Sequence, residues 1–295
     1  MISPHGVIPP LTTPFTPAGD IYEDGLRRLV EFQIEKGVHG LFICGTYGSG
    51  PIMSLDERKR VHEIVIDQAK GRLVIIAHVG TTSTAQSVDL ARHAEAAGAD
   101  CVASVPPFYH HYDEREVLGF YQALVSAVKV PVYVYNNPKA SGFSITPAFL
   151  RRLADAGVQG VKDSGFGYIE FSHFVLALQD RPDFTLVVGT EGIALPAFMI
   201  GAKGCVSGLA NAFPEIVVRL WDLFQAGRYA EANQLQLQVN RARQILHIPG
   251  STNAACYAAL HARGIDVGMP KLPIMPVPDD KAQAMLSGFK DMGLL

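Results

Sequence analysis

The stretch PVYVYNNPKASGFSITPAFLRRLADAGVQGVKDS, residues 131–164, decides the fold. It opens with a β-branched and aromatic run, Pro131 to Asn136, and continues into a helical pattern over 146–156. Thr146-Pro147 puts proline where a helix begins, a position whose N–H would have no partner in any case. Gly157 falls just after the helical run, where a left-handed residue is often required. A second apolar run, Gly157 to Lys162, follows at once. Strand, helix and strand in this order predict two parallel strands joined by a right-handed crossover.

The alternation continues on both sides. Val7-Ile8, Gly40 to Thr46, Leu73 to Gly80, Asp100 to Val105, Thr185 to Gly189 and Gly204 to Ser207 bring the strand-like runs to eight. Helical patterns near 22–36, 55–69, 84–97, 113–128, 168–179, 191–200 and 214–226 alternate with them, with Ser54 and Glu57 spaced as a capping box and Gly37 and Gly98 at helix ends. Near-continuous apolar strands imply burial on both faces, and eight βα units close into a (β/α)8 TIM barrel of the α/β class. Residues 1–226 are assigned to this barrel. Residues 227–295, with helical stretches around 228–247, 253–263 and 279–291, are assigned to a C-terminal helical extension packed on it. Covering a barrel face and forming a subunit interface both remain open for the extension.

Composition narrows the class of function. With 48% hydrophobic residues, 18% charged residues and a net charge of −3, the chain of 295 residues has a large core and no basic block. Neither a nucleic acid nor a membrane surface is an expected partner; a small molecule is. No stretch reaches membrane-span length, and the N-terminus Met-Ile-Ser-Pro-His-Gly has no charged n-region. Cys44, Cys101, Cys205 and Cys256 have no metal-ligand spacing and read as buried hydrophobes in a reducing compartment, so a cytoplasmic location is expected. His110-His111 is not read as a metal site, because adjacent residues project differently and no ligand cluster accompanies them. His78 reads as a core histidine.

Chemistry in such a barrel sits where strands end and βα loops begin. Lys162 closes an apolar run there, and a neutral amine in that position condenses with a ketone as a Schiff base. At the reference pKa only roughly one amine in 2,500 is neutral at pH 7, and desolvation that lowers the pKa towards roughly 7–8 recovers most of that factor. The competing reading is a lysine that caps the strand and pairs with Asp163. Gly45-Thr46-Tyr47-Gly48-Ser49-Gly50-Pro51 is a glycine-rich turn whose amides, with the Thr46 hydroxyl, suit a carboxylate; it lacks the phosphate-loop and dinucleotide patterns. Tyr135 is the candidate proton shuttle beside the lysine, the alternative being that Tyr133 and Tyr135 are ordinary strand residues.

Pro-Pro-Leu-Thr-Thr-Pro-Phe at 9–15, Gly45-Thr46-Tyr47-Gly48, Pro107-Phe108-Tyr109, Tyr135-Asn136-Asn137-Pro138 and Gly160-Val161-Lys162 together resemble the dihydrodipicolinate synthase / N-acetylneuraminate lyase family of pyruvate-dependent class I lyases. The resemblance implies a homotetramer, a dimer of dimers, with Lys162 as Schiff-base former and Tyr135 as shuttle. It implies that Thr46 and Tyr109 complete a hydroxyl relay, Tyr109 reaching in from a neighbouring subunit. The Thr46-Tyr47 turn, with Gly48, would bind the keto-acid carboxylate, Val206 would wall the pocket, Gly189 would leave room for substrate, and Thr190 and Glu191 would bind substrate hydroxyls. Glu191 also reads simply as an acidic helix start.

Two departures bear on the substrate. Dihydrodipicolinate synthases place an arginine where this chain has Ala140, with Lys139 next to it, and the second threonine of their turn is Tyr47 here. Gly-x-Gly-Pro at 48–51, Ala140 before Ser141-Gly142, and Val161-Lys162-Asp163 are similar to 2-keto-3-deoxygluconate aldolases. The expectation is therefore an aldolase joining pyruvate and an aldehyde into a 2-keto-3-deoxy sugar acid, without an external cofactor. The alternatives are a 2-keto acid dehydratase or deaminase, dihydrodipicolinate synthase, and a keto-acid binding module without turnover.

Overall fold

The computed structural model describes residues 3–295. Eight strands, β1 (Gly6–Ile8), β2 (Gly40–Ile43), β3 (Val74–His78), β4 (Cys101–Ser104), β5 (Val132–Asn136), β6 (Gly160–Asp163), β7 (Thr185–Val188) and β8 (Gly204–Val206), form one parallel sheet. It runs in the order β1-β8-β7-β6-β5-β4-β3-β2. His39 N donates to Val7 O at 2.9 Å and Phe42 N to Pro9 O at 2.9 Å, which brings β2 back against β1 and closes the ring. The (β/α)8 barrel read from the sequence is the fold observed.

Helices α1 (Glu23–Glu35), α2 (Leu55–Ala69), α3 (Thr84–Ala97) and α4 (Glu114–Ala127) form the first half of the outer layer. The one-turn α5 (Pro138–Ser141) precedes α6 (Pro147–Asp155), α7 (Tyr168–Ala177), α8 (Ala194–Met199) and α9 (Pro214–Gln225). Ser54 and Glu57 form a reciprocal capping box on α2, and Thr146 Oγ1 accepts from Phe149 N at the start of α6. Gly37, Gly98 and Gly157 take φ of 75°, 101° and 101°, the left-handed region that a side chain rarely adopts. All four cysteines are free and buried.

Alternation along each strand divides the core in two. Ile8, Phe42, Ile76, Cys101, Ala103, Val105, Tyr133, Tyr135, Val187 and Val206 point into the lumen and pack as one cluster. The opposite strand faces meet the helices in a second, larger cluster. The extension consists of α10 (Tyr229–Leu246), α11 (Thr252–Ala262) and α12 (Asp279–Asp291). Its α10 packs against α9, α12 and the turn Glu191–Ile193 after β7, so the extension covers one end of the barrel, the end that carries Lys162. No helix of the described residues is long and apolar enough to cross a membrane.

Candidate active site

Parallel register sets the centre of the site. Tyr135 on β5 is the direct partner of Lys162 on β6, so two inward side chains lie abreast at the strands' C-terminal ends. The Lys162 amine rests 3.7 Å from the Tyr135 ring centre and 3.8 Å from that of Phe42. Lys162 is 6% exposed. Burial lowers its pKa against the raising influence of the Tyr135 phenol. Asp163, the alternative partner, instead accepts from Asn136 Nδ2 at 2.7 Å and from Gly165 N at 3.1 Å. No carboxylate of the described residues lies within ion-pair distance of Lys162, which removes the strand-capping reading.

Burial acts to raise the Tyr135 phenol, but the Lys162 charge and hydrogen bonds with Thr46, Ser164 and Lys162 outweigh it and leave the pKa lowered. Lowering of the phenol depends on positive charge at the nitrogen, whereas burial of the lysine does not depend on the phenol. A positive nitrogen, whether ammonium or protonated imine, therefore favours the phenolate. Asn137 Nδ2 donates to the phenol oxygen at 3.1 Å, and Thr46 Oγ1 stands 3.4 Å away.

The turn after β2 folds back sharply enough to exclude side chains. Cys44 and Ser49 take positive φ of 56° and 59°, and Gly50 N donates to Gly45 O at 3.1 Å. A Cβ on Gly50 would stand 1.8 Å from Cys44 O. Thr13 Oγ1 donates to Gly48 O at 2.8 Å, and Asn253 Nδ2 of α11 donates to Thr46 O at 3.2 Å and Tyr47 O at 2.7 Å. The extension thus pins the turn that carries Thr46.

These residues surround a cavity of about 320 Å³ lined by Thr46, Tyr47, Tyr135, Ala140, Lys162, Gly189, Thr190, Glu191 and Val206, among others. Nine of the eleven residues expected from the sequence are therefore brought together. Gly48 supports the turn from behind without lining the cavity. Tyr109 is not brought in: it is 88% exposed, with φ of 84°, on the loop after β4. At Gly189 a Cβ would meet Ser164 Oγ at 2.1 Å and Asp163 O at 2.6 Å. Close approach of β6 and β7 thus requires a glycine at a position that also lines the cavity.

Tyr47 turns its phenol away from the lysine, towards Gly208 and α11. A Cβ on Gly208 would lie 2.3 Å from the phenol oxygen, and burial pushes the phenol far above its ordinary pKa while Thr252 bonds it. His78 is a core histidine: Nδ1 lies 3.1 Å from Cys44 O, Nε2 accepts from Val105 N at 3.3 Å, and burial holds its pKa well down.

Sequence reasoning missed Ser164, Phe166, Arg243, His247 and Thr252, which also line the cavity. The last three come from the extension. Gln236, Asn240, Arg243 and His247 recur at four, three and four residues, a polar stripe on one face of α10 that a helical-period search for polar residues would have found. Among the described residues no cluster of three His, Cys, Asp or Glu has metal-site geometry. A larger cavity of about 600 Å³, lined by Phe15, Tyr22, Tyr257, Met269 and Val277 among others, shares no residue with the first and carries no lysine.

Comparison with known proteins is decisive for the family: the model of the dihydrodipicolinate synthetase family matches residues 3–291. The chain belongs to that family. Its members are pyruvate-dependent class I lyases and aldolases, and this chain is an enzyme of that kind. An uncharacterised DapA-like lyase of Halobacterium salinarum is 35% identical over 292 residues, covering 99% of this chain and 95% of that one. The structure of YagE, a prophage protein of the dihydrodipicolinic acid synthase family from E. coli K12 in complex with pyruvate, superposes with a TM-score of 0.95. It is 25% identical and covers 99% of both chains. A variant of the 2-keto-3-deoxygluconate aldolase of Sulfolobus solfataricus superposes with a TM-score of 0.90 at 25% identity, covering 98% of this chain and 96% of that one.

Proposed function

We propose that the chain is an aldolase that joins pyruvate to an aldehyde, or reverses that step, to make or cleave a 2-keto-3-deoxy sugar acid, with Lys162 as Schiff-base former. One observation carries this reading: a lysine amine buried in the barrel lumen, with no carboxylate partner among the described residues and abreast of a tyrosine phenol. The neutral Lys162 amine adds to C2 of pyruvate, and the Tyr135 phenol protonates the departing hydroxyl, so that water leaves and a protonated imine faces the phenolate. That cation is an electron sink, and it also favours the Tyr135 phenolate, which takes a proton from C3 to give the enamine. The enamine carbon then attacks the aldehyde carbon, Tyr135 returns its proton to the nascent alkoxide, and water releases the product and the amine.

Thr46 is the next hydroxyl in the proton path, with Tyr109 of a neighbouring subunit completing it in a homotetramer. The exposure of Tyr109 in the single chain is compatible with insertion elsewhere. The Thr46-Tyr47 turn holds the keto-acid carboxylate through its backbone, Val206 walls the pocket, and Thr190 and Glu191 face the aldehyde half. Gly192 N donates to Thr190 Oγ1 at 3.1 Å, which leaves the Thr190 hydroxyl proton for substrate. Ala140 weighs against dihydrodipicolinate formation, because a bidentate arginine contact worth roughly 1.5–3 kcal/mol is missing there.

Borohydride reduction in the presence of pyruvate, followed by peptide mass spectrometry, tests the lysine. The expected adduct is on Lys162, and Lys162→Ala abolishes both adduct and turnover. An adduct on another lysine, or none, rules out this assignment.

A further inference from the structure

Glu191 is a carboxylate in a nearly closed place. Its side chain is 5% exposed, and its one ionic partner is Arg243 of α10, with Nε 3.3 Å from Oε1. Among the described residues this is the only ion pair between two groups that line the cavity. The backbone of both partners is fixed. Gln236 Nε2 donates to Glu191 O at 2.8 Å while Leu195 N donates to Gln236 Oε1 at 2.9 Å, so α10 is clamped to the turn after β7. A Cβ on Gly192 would stand 3.6 Å from Arg243 Cδ, so turn and arginine are already in near contact.

A single Nε contact leaves the other carboxylate oxygen of Glu191 and the two terminal nitrogens of Arg243 without protein partners among the described residues. The pair therefore offers a substrate one strong acceptor and two strong donors while its net charge is zero. A hydroxyl group, donor and acceptor at once, satisfies both sides. An anionic group is attracted by one member and repelled by the other at similar range, and so gains little. Lys139, the remaining cation near this end, is exposed, where solvent and salt screen it.

Resting on the aldolase reading above, we propose that Arg243 is a specificity-determining residue, pairing with Glu191 so that the site selects an uncharged hydroxyaldehyde over an aldehyde that carries a second anionic group. The C-terminal extension thereby shares with the turn after β7 the choice of acceptor.

The test uses the full-length enzyme with pyruvate and three aldehydes: glyceraldehyde, propionaldehyde and succinic semialdehyde. Wild type is expected to favour glyceraldehyde over propionaldehyde by about 10- to 100-fold in kcat/KM, the scale of a hydrogen bond to a charged group. Succinic semialdehyde is expected to do no better than propionaldehyde. Arg243→Met and Glu191→Gln each bring the glyceraldehyde-to-propionaldehyde ratio towards one, mainly through KM for glyceraldehyde, and Arg243→Lys retains part of it. The ratio is taken within one variant, so a fraction of misfolded enzyme does not move it. A wild-type preference for succinic semialdehyde, or an unchanged ratio in Arg243→Met, overturns the proposal. Equal kcat/KM for all three aldehydes overturns it alone, whereas no aldol product with any of them overturns the aldolase reading as well.

Discussion

His62 on α2 is fully buried, and neither ring nitrogen has a hydrogen-bond partner. Burial first, then the charge of Arg58 and the neighbouring His93, lowers its pKa from 6.5 to about 3. The folded state therefore resists a proton that the unfolded chain accepts. Stability from this group is whole above pH 6.5 and is lost as the pH falls from there towards 3. Between pH 7.5 and pH 5 the loss is about 2 kcal/mol, growing to about 3 kcal/mol at pH 4. The pH 5 figure depends almost entirely on the unfolded pKa, because the folded imidazole is still neutral there. His62→Leu removes the titration at similar volume, and is expected to be no less stable at pH 7.5, since two orphaned nitrogens cost on the order of 1–3 kcal/mol. Urea unfolding of both proteins at pH 7.5 and pH 5, at one protein concentration, gives the double difference in which His78 and the carboxylates cancel. Wild type should lose about 2 kcal/mol more than the variant across this interval. Equal losses would show that His62 finds a partner or water in the folded state, and would refute the reasoning.

Three further variants probe close contacts and proton transfer. Tyr135→Phe removes the phenol while keeping the ring against Lys162, and should slow turnover by roughly 10²–10⁴-fold; an unchanged kcat in a steady-state aldol assay moves the shuttle to another group. Gly50→Ala, whose new carbon would meet the Cys44 carbonyl, should destabilise by about 1–3 kcal/mol or more. Gly119→Ala, with open space around its site on α4, should stabilise by about 0.5–1 kcal/mol. Thermal unfolding that ranks the two alanine variants the other way would refute the contact argument.

Much of the barrel was legible because both of its signals are local. Apolar strands alternate with helical periods, and Ser54, Thr146 and Gly157 mark ends through their own hydrogen bonds or φ. The end of α6 was read less well. The run expected from Gly157 begins as strand only at Gly160, because Val158 N still donates to Leu153 O and so belongs to the helix terminus. The four residues of α5 are too few to show a period. Expectations from 191–200 merged two elements, a 3₁₀ turn at Glu191–Ile193 and α8, since Thr190 caps the turn within the same polar start. In the site, Lys162, Tyr135 and Thr46 stood out as strand-end residues. Arg243, His247 and Thr252 did not, because their relation to the lysine is made by the docking of α10 and α11, and no local pattern in the chain encodes which barrel end a helix will cover.

That separation has a chemical consequence. On the proposed mechanism, what makes the Lys162 amine reactive is its burial among Phe42, Tyr135, Val187 and Val206, all lumen residues carried by strands. On the proposed reading, what would meet the far end of a bound substrate is the pair Glu191–Arg243, half of it carried by the extension. The first depends on desolvation, which is insensitive to the identity of a side chain on the covering helix so long as water stays out. The second depends on charge and donor geometry at the surface of α10, which one substitution changes. On that reading, substrate choice is open to alteration at position 243 without touching the register of β5 and β6 that sets Lys162 beside Tyr135.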